Sequence, residues 1–72
     1  MKSTRSPRYR RFLTRLKAAR KEAGLTQVQV AKRLRQSQAF VSKSESGDRR
    51  VDAIELGAFS RLYDKPLDFF VE

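Results

Sequence analysis

Apolar side chains recur along the first third of the chain at steps of three and four: Tyr9, Phe12, Leu13, Leu16, Ala19 and Ala23. That is the spacing of one buried helical face. Ser6 offers a capping hydroxyl, Pro7 suits the first helical position and Gly24 supplies a stop, so the pattern predicts a helix over about 7–23. Thr26 with Gln29 makes a capping box, after which Val30, Ala31 and Leu34 form the inward stripe of a second helix over about 27–34. Ser37 caps a third helix running to about Glu45, which Gly47 closes. A second capping box, Asp52 with Glu55, opens a fourth helix with Leu56, Phe59, Leu62 and Tyr63 inward. Pro66 fits the first turn of a last short helix in which Leu67, Phe70 and Val71 can pack and Phe69 is left over. No stretch alternates as a strand does.

These elements predict an all-α fold, a compact bundle of five helices. With 72 residues the chain makes one domain, 7–72, after a flexible basic segment over 1–6. Only two or three residues around Arg35 and Gln36 separate the second helix from the third, which is helix-turn-helix spacing.

Charge sharpens the picture. Residues 1–50 hold fifteen Lys and Arg against Glu22, Glu45 and Asp48, a net of +12, whereas residues 51–72 carry −3. One face is therefore expected to meet a polyanion, either nucleic acid or anionic lipid. The chain has no cysteine and no histidine, so it holds no disulfide, no thiolate metal site and no imidazole base. With no clustered carboxylates and no phosphate-cradling glycine loop, an enzyme is the weakest reading, and no metal or cofactor is expected. The basic start lacks an apolar run of signal-peptide length and nothing approaches a membrane span, which predicts a cytoplasmic, nucleoid-associated protein.

The third helix spends little on a core. Val41, Ser44 and Glu45 share one side, while Ala39, Ser42 and Lys43 point the opposite way, with Gln38 at the leading end. Such an outer face suits a major groove: glutamine pairs with an adenine edge, lysine with guanine, serine with either, and alanine touches a thymine methyl. Arg20 lies on the core stripe of the first helix and Glu45 on the inward side of the third. Two opposite charges on buried faces predict one ion pair that orients the two helices.

The run LKAARKEAGLTQVQVAKRLRQSQAFVSKSESGDRR resembles the helix-turn-helix of the Xre family, which includes the lambda-type repressors and Cro. The matching skeleton is Leu16, Arg20, Gly24, Leu25, Thr26, Gln27, Ala31, Leu34, Ser37, Val41, Ser42, Lys43, Glu45 and Gly47, in order and without gaps. The resemblance implies a lambda-repressor-like bundle with the third helix in the major groove. It places Gln38, Ala39, Ser42 and Lys43 at base edges, has Gln27 touch a phosphate and brace Gln38, and makes Arg20 and Glu45 the internal salt bridge. Ser37, Phe40, Arg49 and Arg50 join Gln27 as expected phosphate contacts. The first turn of the second helix would attract a phosphate through its unpaired N–H groups and positive dipole end. Arg8, Arg10 and Arg11 are candidates for the backbone or an adjacent minor groove. The chain departs from the family pattern at four positions: Arg35 where the turn usually has glycine, Ser44 in place of a large apolar residue, Asp64 where glycine is common and Pro66 where a capping hydroxyl is.

The expected function is sequence-specific binding of double-stranded DNA by a small transcriptional repressor, a homodimer on half-sites about 34 Å apart. Ile54, Ala58, Phe69 and Val71, left over from the core stripes, are the candidate dimer contact. The alternative is an antitoxin-type interaction protein that neutralises a protein partner and autoregulates through the same motif. A third reading, a basic amphipathic helix on a membrane, explains only residues 7–23. No small-molecule ligand and no membrane partner are expected.

Overall fold

The computed structural model describes residues 6–71 and contains α1 (Pro7–Glu22), α2 (Gln27–Leu34), α3 (Gln38–Ser46), α4 (Ala53–Tyr63) and α5 (Leu67–Phe70). No strand occurs among the described residues, and the fold is all-α. Residues 1–5 of the expected flexible segment lie outside the described residues. Ser6 belongs to the fold: its hydroxyl caps α1 by accepting from the Tyr9 N–H at 3.1 Å.

Local chemistry sets the helix boundaries. Both capping boxes form, Thr26 with Gln29 on α2 and Asp52 with Glu55 on α4. Each satisfies two backbone donors that the helix start leaves orphaned. Three helices end alike. Leu25 N–H bonds back to Arg20 O and Gly24 N–H to Lys21 O, and the same two-bond motif recurs at Gln36 and Arg35 and at Lys65 and Asp64. The motif needs a left-handed residue, which is Gly24 after α1 but Arg35 (φ 57°) after α2 and Asp64 (φ 56°) after α4. The αL conformation crowds a side chain's Cβ, so these two positions store strain.

The core is built around α1, which lies against α3, α4 and α5, while α2 packs on α3. Phe12, Leu16, Ala19, Val30, Ala31, Val41, Phe59, Tyr63 and Phe70 are buried. Complete burial of a side chain such as Leu16 or Phe59 contributes about 1.5–3 kcal/mol. Tyr63 stacks on Phe59 with ring centroids 5.8 Å apart, yet its buried hydroxyl has no hydrogen-bond partner among the described residues. Burial also pushes its pKa up, and the negative Glu45 adds to the shift.

Two expected core stripes need correction. Ala23 is exposed because it is the α1 C-cap, where the chain already leaves the helix axis. On α5, Leu67 and Val71 are half exposed, at 50% and 52%. Phe69, expected to be left over, packs edge-on against Phe70 at 5.3 Å and lies under the Lys65 ammonium at 4.7 Å. The Arg15 guanidinium donates to the Phe69 carbonyl at 3.0 Å and anchors α5 to α1.

Candidate nucleic-acid interface

The third helix is held from behind. Arg20 Nε donates to Glu45 Oε2 at 2.6 Å and Nη2 donates to Oε1 at 3.2 Å, a two-pronged ion pair with the Glu45 side chain only 2% exposed. Hydrogen bonding to Glu45 raises the Arg20 pKa and outweighs the desolvation that would lower it. A further Arg20 nitrogen donates to the Leu25 carbonyl at 2.9 Å. Gln27 Nε2 donates to Glu45 Oε1 at 3.1 Å. One carboxylate thus ties α1, the turn after it and the start of α2 to α3.

The rest of the rear face is filled around a serine. Ser44 is buried, and its hydroxyl donates to the Phe40 carbonyl at 2.7 Å. The gap left by a missing large side chain is covered by Phe40, whose ring stacks on Phe59 at 6.2 Å. The Arg49 guanidinium lies over the Phe40 ring at 4.4 Å and forms a bidentate pair with Glu55 at 2.9 and 2.8 Å. The loop after α3 is thereby clipped to the first turn of α4. Hydrogen bonding from Arg49 lowers the Glu55 pKa against its desolvation, and the N–H of Asp52 lowers it further.

With its rear fixed, α3 turns Gln38, Ala39 and Lys43 outward, all exposed, with Ser42 half-buried beside them. The turn leading into it, Arg35, Gln36 and Ser37, is exposed as well. Arg35 stands out among these. The sequence marks it only as a misfit in a glycine position, yet it keeps a basic residue in the exposed turn three positions before α3; a basic residue inside the turn is the signal that could have singled it out.

Several expected contacts are engaged differently. No hydrogen bond joins Gln27 to Gln38, because the Gln27 amide is spent on Glu45. The Phe40 ring faces Phe59 and its N–H serves the Ser37 cap at 3.1 Å, which leaves neither for a phosphate. Arg49 is committed to Glu55. Ser37 and Arg50 are exposed, and the Arg50 guanidinium lies 5.8 Å over the Tyr9 ring. Tyr9 in turn accepts a hydrogen bond from the Val51 N–H at 3.0 Å, so the start of α1 adjoins the loop after α3. Arg8, Arg10 and Arg11 are exposed there, on the ordered first turns of α1 rather than on a separate arm. Ile54 (83% exposed) and the half-buried Ala58 share one stripe of α4.

A helix-turn-helix family model matches residues 16–70, from the middle of α1 to the end of α5. The chain belongs to the Xre, lambda-repressor-like, helix-turn-helix family. No curated protein matches it. Members of this family are DNA-binding transcription regulators, and the chain is a DNA-binding helix-turn-helix regulator. Among the described residues no helix is long and apolar enough to cross a membrane.

Proposed function

We propose that residues 7–72 form one unit that binds double-stranded DNA sequence-specifically as a homodimeric repressor in the cytoplasm, with α3 in the major groove. The observation that carries this reading is the two-sided character of α3: Val41, Ser44 and Glu45 are buried, while Gln38, Ala39 and Lys43 are exposed on the other side. A helix fixed by a buried ion pair holds its outer side chains in register, and base edges are read only by groups so held.

Gln38, Ala39, Ser42 and Lys43 read bases. Ser37, Arg50 and the first turn of α2 near Gln27 meet phosphates, Arg35 adds a contact at the turn, and Arg8, Arg10 and Arg11 extend the backbone contacts along α1. These phosphate contacts position the protein without specifying sequence. Ile54 and Ala58, with the half-exposed Val71, supply the dimer contact, and Phe69, packed against Phe70 and beneath Lys65, is left out of it. Repression needs only occupancy, since a protein seated on a promoter excludes the polymerase.

Selection of bound sites from random duplex DNA tests the whole reading. The expected outcome is a near-palindrome with half-sites about 34 Å apart, one helical turn. Affinity for that site should fall with salt at a log-log slope of about −0.9 per phosphate contact. Recovery of unselected sequence, or of a single unpaired half-site, would contradict specificity or dimerisation respectively.

A further inference from the structure

A cleft of about 320 Å³ opens between the start of α1, the loop before α4 and the end of α5. Its floor is apolar: Phe12 is 5% exposed, Phe70 is 1% exposed, and Val51 closes one side. Its rim is basic. Arg8 and Arg11 lie three residues apart on one face of α1 and both line the opening, while the Arg15 guanidinium beside them is engaged at the Phe69 carbonyl. No carboxylate among the described residues lines the cleft, and none pairs with Arg8 or Arg11. An apolar pocket of this size with convergent cations is built for a small molecule that has an apolar body and an anionic head.

The geometry points to a binding site for a small amphipathic carboxylate, an aromatic acid whose ring lies on Phe12 and Phe70 and whose carboxylate meets Arg8 and Arg11. Guanidinium matches a planar carboxylate in a two-pronged arrangement, and the aromatic floor takes the ring. A phosphodiester can meet the arginines at the rim but does not fill the cleft, because sugar and phosphate gain nothing from an apolar floor. The sequence gives no hint of such a ligand, since the wall is assembled from three stretches far apart in the chain.

The test uses the full chain without DNA, so its outcome is independent of the DNA-binding reading. Cinnamate is titrated while backbone amide resonances are followed by NMR. Saturable shifts at Arg8, Arg11, Val51 and Val71 are expected. The double substitution R8Q/R11Q, at exposed positions, should weaken binding roughly tenfold or more, as the loss of both charge-assisted contacts to the carboxylate would. Cinnamyl alcohol, with the same ring and no charge, should bind more weakly by a similar factor, a comparison that needs no variant. Equal binding of the alcohol would reduce the cleft to an apolar crevice and overturn the proposal. Equal shifts with inorganic phosphate would reduce it to an unspecific anion patch, and the absence of saturable shifts would remove it.

Discussion

Two residues show how a single side chain governs the interface. Arg20 neutralises a carboxylate that is almost completely buried, so Arg20→Ala would strand Glu45 as an uncompensated charge. Breaking such a pair from one side costs about 3–5 kcal/mol, a large share of the stability of any small domain. Thermal unfolding should therefore show a melting temperature lower by at least 10 °C or so, at about 4–8 °C per kcal/mol for a domain of this size. Arg35 acts in the opposite direction. It holds φ 57° and ψ 44° where glycine would do so without strain. Arg35→Gly should raise stability by about 1 kcal/mol in denaturant unfolding, provided DNA is absent.

At the scale of elements, the clip between the α3–α4 loop and α4 is a matter of charge. The folded Glu55 carboxyl titrates below its ordinary value, because Arg49 donates to its ionised form. Its contribution is therefore complete above the ordinary glutamate pKa of about 4.3 and is lost as pH falls through the depressed folded value. Glu55→Gln should be less stable than the parent chain at neutral pH. The gap should narrow below about pH 4, as unfolding curves across pH would record.

Element starts were legible because each is written in adjacent residues: Ser6 before Pro7, Thr26 with Gln29, Asp52 with Glu55. The pairing of Arg20 with Glu45 could also be read, since each is a charge on an otherwise apolar stripe. The face of α5 could not. A helix of four residues has barely one turn, so periodicity cannot decide between Phe69 and Val71, and Phe70 and Lys65 decide it by packing. The partner of Arg49 could not be read either: a cation just past α3 suits a phosphate by position, and only the fold brings Glu55 within 2.8 Å of it. Gln27 was taken away from Gln38 by the same kind of tertiary competition.

For the molecule as a whole, the division of charge follows the division of labour. Among the described residues, the basic side chains from Arg8 to Arg50 lie on α1, α2, α3 and the turns that follow them, and the carboxylates from Asp52 to Asp68 lie on α4, α5 and the chain around them. Such a field draws the chain to any duplex, so affinity alone says little about recognition. In the proposed reading, recognition rests on α3 presenting one face while its other face is locked. The most direct measurement compares three variants on the selected site and on scrambled duplexes at one salt concentration. Gln38→Ala and Lys43→Ala should each cost about 1–3 kcal/mol on the true site and relax the preference at one base pair, whereas Arg50→Ala should weaken every duplex alike. If Gln38→Ala and Lys43→Ala weaken all duplexes equally, α3 does not read bases and the account fails.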